Sequence, residues 1–535
     1  VTDVVVLGTG AAGLVAALSA FEAGALVEVY EKSAGIGGTT AISGGICWIP
    51  NNPHMAAAGI PDSREDALAY LSSLSLGAID PLLAEALVDT GPGVIEWLEA
   101  RTALRFGVAA GYPDYHPEHA GGKPGGGRSL DPRMFDFGTL GPWADRVVQP
   151  MRLPRTTLTE TPLGGGSGII DQETARARKA RDARGRGQAL IGALLKACLD
   201  RGIEPVTGAR ALELLTDDTG VVGVRVEIDG AVHDVEARRG VVLATGGFEW
   251  NRDLVKAFLR GPMTSPTGVP TNTGDGLVMA LRAGAAVGMM SEAWWVPTAA
   301  IPGDELFDRP WPQLILRERT LPRSIMVNRK GQRFANEAAN YNALGGAFHQ
   351  FDPTRFEYAN LPCWLVFDSE YLRSYGFAGS APGAPPPAWL ISATSLDALA
   401  RIIGVSPEGL VATVARWNDQ VAQGHDPDFA RGDSAYDGWS GDQRFLGTGR
   451  ATLGPLIEAP YFAIEIASGT LGTKGGPRTD ADGRVLDHAG ATIPGLYAAG
   501  NVMAAPTGMV YGGAGGTLGP AVVFGFRAGT SAAQR

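Results

Sequence analysis

Residues 3–33 read DVVVLGTGAAGLVAALSAFEAGALVEVYEKS, and their spacing decides the fold of the amino-terminal part. Val4–Leu7 is a run of apolar residues, the pattern of a parallel strand buried on both faces. Gly8, Gly10 and Gly13 follow as GxGxxG. The first glycine permits a tight turn, the second lets backbone approach a pyrophosphate, and the third lets helix and strand pack closely. Ala11, Ala12 and Gly13 open an apolar helix, whose free N–H groups and positive dipole end face the phosphates. LVEVY is a second strand, and Glu31 stands at its end, placed for the hydroxyls of an adenosine ribose. A bare GxGxxG is a glycine-rich turn and little more. With strand, helix, second strand and acid all in order, the unit reads as a dinucleotide site.

The residues after Glu31 select the dinucleotide. Lys32 leads into SAGIGGTTAISGGICWIPNN, a second loop of glycines and hydroxyls carrying Gly38, Thr39, Thr40, Ser43, Gly44 and Gly45. A nicotinamide dehydrogenase has no need of such a loop here; the pyrophosphate and ribityl chain of FAD do. ARRGVVLATGGFEWN (237–251) supplies a strand ending at Ala244, Thr245 and Gly246, and TNTGDGLVMALRAGA (271–285) a helix containing Asp275. Near the carboxyl end, RVLDHAGATIP is a hairpin and GLYAAGN a short strand carrying Gly500 and Asn501. GLYAAGN resembles the second FAD fingerprint of glutathione-reductase-type flavoproteins. A glycine-rich loop then runs through Gly516, Thr517 and Leu518 into a helix whose N-terminus is expected to face the flavin pyrimidine.

The expected fold class is therefore α/β: a discontinuous, Rossmann-like FAD-binding domain of glutathione-reductase type with an inserted α+β substrate/catalytic domain. The expected boundaries are 1–280 and 451–535 for FAD and 281–450 for substrate. Inside the insert, SIMVNRKGQRF reads as a hairpin turning at Arg329-Lys-Gly, LPCWLVFD as a buried strand and GSAPGAPPPA as a loop. AGGKPGGGRS (120–129) reads as a flexible segment at the mouth of the site, and ETARARKARDARGRG (173–187) as a solvated basic helix face. Trp294 and Trp295 suit either an apolar pocket or ordinary core.

The bulk composition agrees. The chain has 535 residues, 45% of them hydrophobic, enough for two domains. A net charge of −11 excludes a basic nucleic-acid-binding face. Three widely spaced cysteines, Cys47, Cys198 and Cys363, argue against a disulfide framework and for a reducing, cytoplasmic setting. The first twenty residues lack the basic n-region of a signal peptide, and no apolar run is long enough for a transmembrane helix. His116 and His119 have no further Cys or His nearby, so no metal is expected.

Four stretches carry a closer resemblance: GGTTAISGGICWIPNN, NEAANY (336–341), GTKGGPRTD (472–480) and YGGAGGTLGP (511–520). The chain resembles the succinate dehydrogenase/fumarate reductase flavoprotein superfamily, and within it the 3-ketosteroid Δ1-dehydrogenases. The resemblance implies non-covalent FAD, because TTAIS lacks the histidine that membrane-bound members attach to FAD. It also implies a neutral substrate. Soluble fumarate reductases have a His-Pro-Thr where this chain reads Val296-Pro297-Thr298. They have a proton-donating arginine where it reads Tyr341.

In the ketosteroid group a tyrosine at this last position is the catalytic base, which implies that role for Tyr341. A tyrosine opening Tyr-x-x-x-Gly polarises the ketone together with the glycine N–H; here these are Tyr511 and Gly515. A third tyrosine assists the base, matched by Tyr115 in GYPDYHPE, with Tyr112 in reserve. This chain has Tyr-Gly-Gly-Ala-Gly where relatives have prolines among the glycines, so a more flexible loop is expected.

The chemistry needs those parts in any case. Donors must stabilise the carbonyl oxygen as an enolate forms, a base must take the α-proton, and flavin N5 takes the β-hydride. Tyrosine's reference pKa of about 10 means that its proton must be lowered or relayed. Without that chemistry Tyr341 is an amphipathic core residue with a satisfied hydroxyl. The expected activity is desaturation of a 3-ketosteroid; the alternatives are a cyclohexanone-type ketone, a fumarate- or urocanate-type reduction, or a non-enzymatic flavin module. The electron acceptor, a quinone or oxygen, is not written in the residues.

Overall fold

A computed structural model describes residues 2–535. The amino-terminal strand Thr2–Leu7 is buried along its whole length, with Val4, Val5 and Val6 fully sealed. Such a strand has to lie inside a parallel sheet with both faces covered. It does: Val27–Glu31 pairs parallel on one side and Ala231–Leu243 on the other, followed by Thr492–Ala498 and then Arg484–Leu486. Leu7 lies opposite both Tyr30 and Leu243, and Leu243 opposite Ala498. Chain segments as far apart as Leu7 and Ala498 thus end their strands at one level, and Gly8, Glu31, Ala244 and Gly500 follow there. Ligands bind in parallel α/β sheets beyond the carboxyl ends of the strands.

Two helices cover this sheet. Ala11–Glu22 follows the glycine turn, and the last helix, Leu518–Gln534, packs across it. They come close because the last helix presents glycine: a Cβ at Gly525 would lie 2.5 Å from the Ala12 carbonyl.

The second sheet is antiparallel, in the order Arg309–Leu314, Ala293–Leu306, Tyr461–Thr473, Cys363–Asp368, Ser324–Val327. Its faces bury separate clusters, one around Phe367 and Phe462, the other around Trp417 and Val366. The fold is mixed α/β, a parallel-sheet domain joined to an antiparallel-sheet domain. Tyr461–Thr473 spans the second sheet before the chain returns to the first.

Two local expectations change. SIMVNRKGQRF turns at 328–331, but Ser324–Val327 pairs with Cys363–Asp368 instead of with the residues after the turn. Past the turn, the Arg333 guanidinium pairs with Glu337 and Asp426, each at 2.7 Å. AGGKPGGGRS divides in two: 120–125 is a partly exposed turn, whereas Gly126–Ser129 enters the fully buried strand Gly126–Pro132. There Arg128 pairs with Asp62 at 2.7 Å and Asp114 at 2.8 Å. By contrast, Gln172–Ala180 in the basic stretch buries no residue. No helix among the described residues is long and apolar enough to cross a membrane.

Candidate active site

One cavity of about 610 Å³ runs from the end of the parallel sheet to a cluster of buried tyrosines between the two sheets. Its nucleotide end is lined by Gly8, Gly10, Ala11, Ala12, Glu31 and Lys32. Gly38, Thr39, Thr40, Ser43, Gly44 and Gly45 form one wall; Ala244, Thr245, Gly246 and Asp275 form another. Gly500, Asn501, Thr517 and Leu518 close it from the carboxyl end.

Two expected cofactor residues lie outside the lining. A Cβ on Gly13 would lie 2.0 Å from the Gly8 carbonyl, so its contribution is close packing. Gly516 faces the Tyr511 ring, which a Cβ there would meet at 2.7 Å. Thr267, Val269 and Asn272 also line the cavity and had no signal in the sequence. Their place depends on Asn272, which donates to Glu249 Oε1 (2.7 Å) and, across 233 positions, to Thr39 Oγ1 (3.1 Å).

The donor set fits FAD. Gly8 sits at φ +106, and a Cβ there would strike the Ala244 carbonyl at 2.3 Å, so the tight turn requires glycine. At Gly38 and Gly44 a Cβ would meet nothing within 4 Å, leaving bare backbone beside open space. Thr245 Oγ1 is buried with no partner among the described residues. Glu31 accepts from Thr9 N–H (3.0 Å), Thr9 O–H (2.7 Å) and Ser33 N–H (2.9 Å). Burial nevertheless raises its pKa above the usual carboxylate value. Lys32 pairs with Asp275 at 3.1 Å at the cavity edge. No histidine or cysteine lines the cavity among the described residues.

At the other end the structure brings Tyr115, Tyr341 and Tyr511 together. Tyr115 O–H donates to Tyr341 at 2.7 Å, and Tyr341 O–H to Tyr511 at 3.0 Å. Thr517 O–H reaches Tyr511 at 3.4 Å. The three rings meet edge-on, with centroids 5.1–5.4 Å apart. Tyr112 lines the same cavity, but Tyr115 makes the bond to Tyr341. Tyr436, absent from the sequence reading, packs on Tyr115 at 4.9 Å.

Tyr341 is aimed by the segment that carries it. Glu337 is buried yet held below the usual carboxylate pKa: burial pushes it up, but Arg333 and Arg431 prevail. Asn336 donates to Asp437 at 2.8 Å, and Asn340 to His116 Nε2 at 2.8 Å. His116 neighbours Tyr115, so this last bond ties the two tyrosine-bearing loops together.

The Tyr511–Gly515 loop is pinned, against the expectation of flexibility. The Gly512 carbonyl accepts from Tyr70 O–H (2.7 Å) and Tyr115 N–H (2.9 Å). Ala514 O accepts from Ser129 O–H at 2.8 Å, and Gly515 O from Trp48 N–H at 3.0 Å. Gly515, at φ +93, turns its N–H away from every acceptor among the described residues, and it lines the cavity. Two side-chain hydroxyls and two backbone N–H groups thus hold a loop that has no proline. Burial raises the pKa of Tyr115, Tyr341 and Tyr511 above 10; hydrogen bonds from Tyr115 to Tyr341, and from Thr517 and Tyr341 to Tyr511, pull back only in part.

The chain matches a family model described as an FAD binding domain over residues 3–518. The chain belongs to this FAD-binding family. FAD is its cofactor. Its relatives include the 4-oxocyclohexanecarboxylate 2-dehydrogenase of Sinomonas cyclohexanicum, 40% identical over 99% of this chain and 92% of that protein. A 3-oxosteroid 1-dehydrogenase of Mycobacterium tuberculosis is 39% identical over 98% of this chain and 97% of that one. Among solved structures, the 3-ketosteroid delta1-dehydrogenase of Sterolibacterium denitrificans in complex with 1,4-androstadiene-3,17-dione is similar at a TM-score of 0.92. It is 34% identical and covers 100% of this chain and 99% of that chain.

Proposed function

We propose that this protein is an FAD-dependent dehydrogenase that desaturates a cyclic ketone next to its carbonyl, acting on a 3-ketosteroid at the Δ1 position. The observation that carries the reading is the Tyr115–Tyr341–Tyr511 hydroxyl chain beside the free Gly515 N–H, all at one end of the FAD cavity. Tyr511 O–H and Gly515 N–H are the two donors for the ketone oxygen. Charge grows on that oxygen as the α-proton leaves, and each preorganised donor is worth roughly 3–4 kcal/mol there. Tyr341 takes the α-proton, and Tyr115 hydrogen-bonds the Tyr341 oxygen so that a phenolate there is stabilised. Bound FAD supplies the hydride acceptor for the β-carbon.

The surroundings support a neutral, apolar body. Ile46, Leu158, Leu163, Leu314, Leu316 and Leu471 line the tyrosine end. Thr298, in the stretch that would grip a dicarboxylate, is fully buried in the second sheet and outside the cavity lining. A second reading, a ring ketone bearing a carboxylate, is favoured by one residue. Arg152 lines the cavity and makes no ion pair among the described residues. It also accords with the carboxylate in the name of the Sinomonas relative.

The test is anaerobic flavin bleaching with androstenedione, cyclohexanone, 4-oxocyclohexanecarboxylate and succinate. The proposal expects androstenedione to give the highest kcat/KM. A four-ring body buries far more apolar surface, at about 25 cal/mol per Å². A higher value for the oxo acid, abolished by Arg152→Ala, would establish the second reading instead. Bleaching by succinate alone would remove both.

A further inference from the structure

Lys474 is a buried cation that the proposed reaction does not use. It follows the strand Tyr461–Thr473 in the GTKGG turn and is only 1% exposed. A charge at that depth requires compensating partners. Its Nζ donates to the carbonyls of Gly508 (3.2 Å) and Val510 (3.0 Å). The same atom lies 4.0 Å from the centroid of the Trp294 ring. That ring in turn meets Tyr511 edge-on at 4.8 Å. The charged groups on neighbouring elements, Glu292 and Arg260, pair with each other at 2.7 Å, so neither neutralises Lys474 directly. Burial pulls the Lys474 pKa down to about 7, partly opposed by Glu292 and reinforced by Arg260.

The contacts divide the loop in two. Carbonyls 512, 514 and 515 are held by Tyr70, Ser129, Trp48 and Tyr115, all from the amino-terminal part of the chain. Carbonyls 508 and 510 are held by Lys474, with Thr507 O–H adding a bond to 510 at 3.1 Å. Tyr511 stands between the two sets. Two carbonyl oxygens and a π-face all turn negative potential toward one nitrogen, which a cation satisfies better than a neutral donor.

We propose that Lys474 is the positioning residue for Tyr511: it clamps the 508–510 backbone and, through Trp294, seats the Tyr511 ring so that its hydroxyl meets Tyr341. The consequence for turnover rests on the ketone-dehydrogenase reading; the clamp itself does not.

The test compares Lys474→Met and Lys474→Arg as FAD-loaded enzymes. Hydrogen–deuterium exchange in peptides covering 506–512 reads the clamp without substrate. Lys474→Met removes both Lys474 hydrogen bonds and should exchange there at least about tenfold faster. Lys474→Arg should restore most of the protection, and peptides from the 2–31 unit should not change in either variant. With a ketone, kcat should fall in Lys474→Met and recover in Lys474→Arg. Wild-type exchange at 506–512 in folded Lys474→Met would overturn the proposal. If Lys474→Met does not fold, Trp294→Leu tests the ring contact: reduced kcat with unchanged 506–512 exchange supports it, and unchanged kcat overturns it. If no ketone bleaches the wild-type flavin, the functional reading fails while the exchange result still decides the clamp.

Discussion

Replacing Tyr341 by phenylalanine deletes one oxygen atom from the centre of the site. The ring stays, and so does its edge-on packing against Tyr115 and Tyr511. Two hydrogen bonds go, the 2.7 Å bond from Tyr115 and the 3.0 Å bond to Tyr511. Tyr511 keeps Thr517 at 3.4 Å, whereas Tyr115, only 3% exposed, loses its acceptor. One buried, unsatisfied hydroxyl costs about 1–3 kcal/mol. A chain of this size, with FAD bound, tolerates that loss and remains folded. A general base is worth roughly 10²–10⁴ in rate, or about 2.7–5.4 kcal/mol of barrier. The two effects are read separately: FAD content and thermal midpoint report the first, anaerobic rapid-mixing bleaching by saturating ketone the second. Tyr341→Phe should retain its FAD and bleach at least about a hundredfold more slowly. Bleaching within about threefold of wild type in the folded variant would make Tyr341 a packing residue and refute the reasoning.

The remaining predictions test other parts of the account. Burial raises the Tyr341 pKa, so the basic form gains population as pH rises; kcat/KM should climb through the neutral range without a plateau below about pH 10, and a plateau near neutrality would mean that a different group is the base. With no histidine or cysteine lining the cavity, acid precipitation should release yellow FAD to the supernatant, whereas flavin retained in the pellet would show a covalent link. Tyr511→Phe should slow solvent exchange of the substrate's α-deuterium measured without net oxidation, and an unchanged exchange rate would remove Tyr511 from the carbonyl.

Much of the nucleotide half was legible because its signals are local. Strand, turn, helix and acid fall within residues 2–31, and the close approach at Gly8 permits no side chain. The tyrosines were legible only through motif resemblance, since each comes from a different part of the chain and nothing local marks them as partners. Arg128 shows where local reading fails. It lies in a glycine-rich stretch that looks flexible, yet Asp62 and Asp114 bury it in a strand. Lys474 shows the same failure from the opposite side, because a lysine in a glycine turn suggests solvent, and only the fold brings two carbonyls and Trp294 to it. Rigidity of the Tyr511 loop could not be read either, because its ties come from Trp48, Tyr70, Tyr115 and Ser129, nearly four hundred or more positions away.

The central claim is that the tyrosine end of the cavity desaturates a ketone at the expense of FAD. The most direct measurement mixes the enzyme anaerobically with limiting androstenedione and follows flavin absorbance and the steroid's ultraviolet spectrum in the same trace. The account predicts that flavin bleaches as a dienone band grows, with one dienone formed per flavin reduced. Bleaching without a new band, or no bleaching by any cyclic ketone, would contradict it.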